Sequence, residues 1–154
     1  MEHKTKINAE AGKQDLVITR EFDLPLELLF KAYVEPEIVE QWMGTKVLKL
    51  ESKKHGSYQF DTTDPKGHKH GFNGVIHEFL PNRRITRTFE MENAPFGIQL
   101  EIYEFQQLSD ETSKLNMHVV YESVAQRDEM LKLPFAQGIN WAPNRLQDIV
   151  SKLK

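Results

Sequence analysis

The stretch Leu131–Leu153, LKLPFAQGINWAPNRLQDIVSKL, decides the fold. Leu131, Phe135, Ile139, Ala142, Leu146, Ile149, Val150 and Leu153 recur at three- and four-residue spacing. They form one apolar stripe over roughly six helical turns. Lys132, Gln137, Asn140, Asn144, Gln147, Asp148 and Lys152 fill much of the opposite side. The spacing predicts a long amphipathic C-terminal helix. Pro134 either opens it or kinks it, and Pro143 removes one backbone hydrogen bond, so a bend is expected there.

Upstream of this helix the pattern has period two. Seven segments read as strands: Leu16–Phe22, Lys46–Glu51, Tyr58–Thr62, His70–Leu80, Arg84–Met91, Gly97–Leu108 and Lys114–Glu122. Turn signals separate them, among them Asp64-Pro65-Lys66-Gly67, Pro81-Asn82, Asn93-Ala94-Pro95 and Ser109-Asp110-Glu111-Thr112. Short polar turns imply an antiparallel meander, because parallel strands need long crossovers. Between the first two strands, Leu26–Tyr33 has helical spacing after Pro25, and Pro36 opens a second short helix through Trp42. The fold class is therefore α+β: a curved antiparallel sheet of six or seven strands wrapped on one long C-terminal helix, with two short helices after the first strand. A twisted sheet seldom closes perfectly along a single helix, so a concave apolar gap is expected between them.

The 154 residues carry 20 Lys+Arg against 23 Asp+Glu, a net charge of −3, which argues against a general nucleic-acid binder. The absence of cysteine excludes disulfides, thiolate nucleophiles and Cys-ligated metal centres. Residues 1–14 are polar, lack the apolar run of a secretory signal, and are expected to be a flexible tail before a single domain spanning 15–154. No apolar run approaches the ~18 residues of a membrane helix. A cytoplasmic, soluble protein without a membrane partner is expected.

In its order of elements and in several short motifs the chain resembles the helix-grip proteins of the START/birch-allergen-like (SRPBCC) superfamily. The nearest branch is the one named for the activator of the ninety-kilodalton heat-shock protein ATPase. The motifs are Arg20-Glu21-Phe22 before Pro25, Phe30-Lys31-Ala32-Tyr33 through Pro36 to Gln41-Trp42, and Gly56-Ser57-Tyr58-Gln59-Phe60. Phe72–Glu78 followed by Pro81, Arg127-Asp128-Glu129-Met130, and Gly138 with Arg145-Leu146 complete the set. The resemblance spans about Leu16 to Leu153. The chain departs from it at Met43 and Thr45, at Pro134 and at Pro143, and the two prolines reshape the helix that would floor a cavity.

The resemblance implies a module that holds a small apolar or lipid-like molecule between helix and sheet. The first alternative is a co-chaperone-like protein-interaction domain. The activators that name the branch add an N-terminal domain for which this chain has no room, so that reading ranks second. The last is a cyclase-like enzyme with Glu78, Glu104 or Arg87 as acid or base. No nucleophile–base pair is visible, so no catalytic residue, metal or cofactor is assigned.

Pocket candidates come from the inward registers. The aromatic set is Trp42, Tyr58, Phe60, Phe72, Phe89, Tyr121, Phe135 and Trp141. Ile76, Leu100, Met117, Met130 and Ile139 are the apolar candidates beside it. Glu78 stands in phase with Phe72 and Ile76, and Glu104 in phase with Leu100 and Ile102. A carboxylate on a core-facing register needs a partner, and Arg87, among Ile85, Phe89 and Met91, is the candidate. The competing reading leaves both glutamates solvated at strand ends. Plain core packing is the competing reading for the aromatics. His68 and His70 share a strand face, but no third ligand accompanies them, and a solvated hairpin end accounts for both. His118 is expected to face outward with Asn116, opposite Leu115, Met117, Val119 and Tyr121.

Overall fold

Every residue of the strand Asp15–Phe22 (β2) has an antiparallel partner in Ser113–Val120 (β8), which fixes which side chains point inward. Leu16, Arg20 and Phe22 are buried on one face, opposite Val119, Leu115 and Ser113. The computed structural model describes residues 4–63, 66–132 and 141–154. Its remaining strands are Lys6–Asn8 (β1), Lys46–Leu50 (β3), Ser57–Thr63 (β4), Lys69–Leu80 (β5), Arg84–Met91 (β6) and Ile98–Gln107 (β7). All eight join one antiparallel sheet in the order β1-β2-β8-β7-β6-β5-β4-β3. The strand count exceeds the expected six or seven because Lys6–Asn8, in the stretch read as a tail, pairs with Val17–Thr19 as an edge strand.

Two helices follow β2. Leu26–Val34 (α1) starts after Pro25, and Pro36–Met43 (α2) carries its proline at the first position, where no amide hydrogen is needed. Gly44 ends α2 in the left-handed region at φ 63°, which glycine reaches without strain. The Trp42 indole donates to the Ala32 carbonyl at 2.6 Å, locking the corner between α1 and α2. Asn82 and Asn93, also at positive φ, close the turns after β5 and β6.

Two further helices are described: Val124–Lys132 (α3) and Trp141–Val150 (α4). Residues 133–140 lie outside the described residues, and with them the Phe135, Ile139 and Pro134 expectations and the continuity of one long helix. The α4 segment packs on α1 and α2. Its Gln147 side chain accepts from the Asp23 amide at 2.8 Å, and Arg145 donates to the Gln41 carbonyl at 3.2 Å. Leu146 and Val150 are fully buried in the main core with Phe30, Ile38, Tyr58 and Phe105. A smaller cluster of Leu16, Val119 and Tyr121 packs with Met130 and Leu131.

Two local registers differ from the sequence reading. Between Ile76 and Glu78 the β5–β6 pairing slips by one residue. This bulge turns Phe79 toward Phe30, with ring centroids 5.6 Å apart, and turns Glu78 outward. In β7 the buried phase is Glu101, Tyr103 and Phe105, not Leu100 and Glu104. A one-residue change of phase exchanges the two faces of a strand.

Candidate functional site

A hollow of about 390 Å³ lies between the inner face of the sheet and helices α1, α2 and α4. Its sheet side is built from three neighbouring strands. Met117 on β8 stands between Ile18 on β2 and Tyr103 on β7, and Leu115 stands between Arg20 and Phe105. Phe22 and Phe60 extend this wall. Tyr33 from α1, Val39, Trp42 and Met43 from α2, and Ala142 and Pro143 from α4 form the helical side. The lining is mostly apolar, and its polar side chains are Thr5, Arg20, Tyr33, Arg87 and Tyr103.

One end carries a buried polar cluster. Arg87 and Glu101 face each other across β6 and β7. The Arg87 Nε donates to Glu101 Oε1 at 3.1 Å, and Nη2 donates to the Tyr103 hydroxyl at 2.7 Å. That hydroxyl donates in turn to the same carboxylate oxygen at 2.8 Å. Gln99 supplies the other oxygen with a bond at 2.8 Å. The guanidinium carbon lies 4.5 Å from the Tyr58 ring centroid and 4.8 Å from that of Tyr103, in cation–π geometry. Tyr58 reaches past Gly74 to donate to the Thr88 carbonyl at 2.5 Å. A Cβ at position 74 would lie 2.0 Å from that carbonyl oxygen, so only glycine leaves the phenol its path.

The other end carries Arg20, 5% exposed. Its Nη2 donates to Asn144 Oδ1 on α4 at 2.7 Å and its Nη1 to the Thr5 hydroxyl at 3.2 Å. Tyr33 stands between the ends, in edge contact with Trp42, Tyr103 and Phe105 at centroid distances of 5.2, 5.5 and 5.7 Å. Burial holds the Tyr33, Tyr58 and Tyr103 phenols protonated well above their ordinary range, so they serve as neutral O–H groups. Burial also pushes Tyr121 up to about 12.

Of the residues expected at a pocket, Trp42, Phe60, Arg87 and Met117 line the hollow. Tyr58 supports Arg87 from beneath, and Ile76 is core at 3% exposure. The Phe72 and Phe89 rings meet in a tilted contact with centroids 5.3 Å apart, and Phe72 packs against the main core. Tyr121 and Met130 belong to the smaller cluster. Glu78 and Glu104 are not partners of Arg87. Both bind Arg84 on the outer face, at 2.6 and 3.6 Å, because of the β5 bulge and the β7 phase. Leu100 is exposed for the same reason. Trp141 begins α4, and Phe135 and Ile139 lie outside the described residues.

Sequence reasoning missed Glu101, Tyr103, Tyr33 and Arg20. The signal for Arg20 was present: Leu16, Ile18 and Phe22 alternate in phase with it. Tyr103 and Phe105 gave the same signal for Glu101. His118 faces outward and bonds Asp15 at 2.7 Å. Among the described residues no group of three or more His, Asp or Glu can hold a metal ion, and no helix is long and apolar enough to cross a membrane.

A single curved antiparallel sheet, two short helices after its first long strand, and a C-terminal helix packed across its inner face define an α+β protein of the helix-grip class. The family model described as activator of Hsp90 ATPase homolog 1-like protein matches residues 23–151, and the chain belongs to that family of the SRPBCC superfamily. Solved structures share the fold over nearly the whole chain. A crystal structure of a Rhodobacter sphaeroides protein superposes with a TM-score of 0.85 at 20% identity, covering 97% of this chain and 99% of that one. A Mycobacterium smegmatis protein gives 0.83 at 18% identity, covering 94% and 95%. A solution structure from Arthrobacter aurescens gives 0.85 at 16%, covering 96% and 91%. No curated protein matches the chain.

Proposed function

We propose that the hollow is a binding site and that the protein is a small-molecule binding module for a mainly apolar ligand. The observation that carries this reading is a cavity of about 390 Å³, within the usual range of ligand pockets, with apolar walls and a few convergent polar groups. Its largest polar cluster is internally satisfied, which suits holding a shape better than driving a reaction. Acid–base catalysis by Glu78 or Glu104 is disfavoured because both carboxylates face away from the hollow. Arg87 is committed to Glu101 and Tyr103.

Native mass spectrometry of the purified protein, followed by thermal shifts against a panel of lipids and aromatic metabolites, tests the proposal. A co-purifying small molecule or a reproducible rise in Tm is expected. Neither a bound species nor any shift across the panel refutes it. The family's description supports a chaperone-activator role as second reading. Association with the ninety-kilodalton chaperone and stimulation of its ATPase would favour that role, and no association would remove it.

A further inference from the structure

The cluster of Arg87, Glu101 and Tyr103 is satisfied in charge and in its acceptors, and it holds one donor over. A guanidinium carries five N–H groups in a fixed fork. Nε is taken by Glu101 at 3.1 Å and Nη2 by the Tyr103 hydroxyl at 2.7 Å. Nη1, with two N–H groups, donates to no described residue. The Arg87 side chain is only 10% exposed, yet Nη1 is not sealed within protein, and the space that Arg87 lines is the hollow.

This nitrogen is a fixed donor. Two hydrogen bonds hold one edge of the guanidinium, and the Tyr58 and Tyr103 rings lie 4.5 and 4.8 Å from its central carbon. A donor set in place beforehand costs a ligand little ordering when it is met. Its surroundings select the kind of acceptor. Glu101, 3.1 Å from Nε, already balances the guanidinium charge, so a carboxylate head would surrender its hydration for a pair that is neutral. An alcohol oxygen can accept, but its own proton would enter a wall that holds no carboxylate, carboxamide or imidazole among the described residues. A carbonyl brings an acceptor and nothing that needs one.

We infer that the ligand of the hollow carries an uncharged carbonyl, of the ketone or ester class, whose oxygen accepts from Arg87 Nη1. Met117, the register neighbour of Tyr103, starts the apolar path for the rest of the molecule, which runs on along Phe60 and Trp42.

This inference rests on reading the hollow as a binding site, and the experiment separates the two. Heptyl methyl ketone, nonanol and nonanoate carry similar apolar tails with a carbonyl, a hydroxyl and a carboxylate. Isothermal titration of the full-length protein should find the ketone about tenfold or more tighter than either of the others, as one hydrogen bond from a charged donor predicts. The carbonyl stretch of bound, isotope-labelled ketone should lie below its position in alkane. The double variant Arg87→Met/Glu101→Leu removes the donor without stranding a carboxylate. In it, with the fold checked by far-ultraviolet circular dichroism, the ketone preference should vanish and the band should return to the alkane position. Glu101→Gln keeps the donor but unbalances its charge, so ketone binding should persist and nonanoate should gain about tenfold. Equal affinities for the three, nonanoate as the tightest, an unshifted carbonyl band, or nonanoate binding unmoved by Glu101→Gln each overturns the carbonyl seat while leaving the apolar pocket standing. So does a ketone preference that survives in the double variant. Absence of binding by all three, together with the failed panel above, removes both.

Discussion

Replacing Glu101 by leucine should destabilise the protein far more than deleting the whole ion pair. The carboxylate is 3% exposed and accepts from Arg87, Tyr103 and Gln99. Glu101→Leu leaves Arg87 inside with its cation–π contacts and one phenol, but without a counter-charge. Breaking a buried pair on one side typically costs about 3–5 kcal/mol. Against a total stability of about 5–15 kcal/mol for a domain, that is a large fraction. In urea, with a slope of about 2 kcal/mol per molar, the midpoint should fall by roughly 2 M at unchanged slope. Glu101→Gln keeps the shape and the acceptor for Tyr103 but not the charge, and should cost about 1.5–3 kcal/mol. The double variant Arg87→Met/Glu101→Leu removes both desolvated charges together and should recover most of the single-variant loss. A Glu101→Leu loss under about 1 kcal/mol would refute the argument that Arg87 depends on this carboxylate. So would a double variant as unstable as the single one.

Gly74→Ala forces a Cβ to 2.0 Å from the Thr88 carbonyl oxygen and 2.6 Å from the Tyr58 hydroxyl, so backbone must move. A loss of about 1–3 kcal/mol in urea unfolding is expected, and a neutral substitution would contradict the packing. The sequence contains four tyrosines, and burial raises all four phenols. Above pH 10 the unfolded chain sheds protons that the folded one retains, so stability falls as pH rises from there. Absorbance at alkaline pH should show tyrosinate appearing together with loss of circular dichroism, and free titration of all four near pH 10 in folded protein would be inconsistent. The His118 hydrogen bond holds the Asp15 carboxyl below its ordinary 3.8. Its stabilising contribution is present above that value and lost as pH drops through the lowered one. Titration by nuclear magnetic resonance should show the Asp15 carboxyl moving up in His118→Asn, and no movement would exclude the bond in solution.

Legibility in the sequence followed how many apolar phases each strand offered. Along β8 and into Tyr121 after it, Leu115, Met117, Val119 and Tyr121 share one phase while Lys114, Asn116 and His118 share the other up to Val120, and the outward placement of His118 follows. In β7 two phases compete: Ile98, Leu100 and Ile102 in one, Tyr103 and Phe105 in the other. The buried phase is the aromatic one, whose larger rings reach Tyr33 and Phe30 and whose Glu101 meets Arg87. Choosing the aliphatic phase misplaced Leu100 and Glu104 together. The β5 bulge left no comparable trace, since Phe72, Ile76 and Glu78 alternate without interruption. Helix α3 was silent because its one buried residue is Arg127, which is held by the carbonyls of Glu10 and Asp15 at 2.6 and 3.0 Å rather than by apolar packing.

The two guanidiniums of the hollow therefore differ in what they report. Arg87 answers to one carboxylate on the neighbouring strand, so its removal can be balanced by removing Glu101. Arg20 joins pieces distant in sequence: β2 carries it, Thr5 lies just before β1, and Asn144 lies on α4. Losing it loosens an edge strand and a helix at once, so Arg20→Gln should lower Tm with no single partner whose removal restores it. Tyr33 has no such second duty, since its described contacts are ring contacts that phenylalanine preserves. Tyr33→Phe therefore separates the hydroxyl from the ring packing: a change in ligand affinity at unchanged Tm is attributable to the hydroxyl.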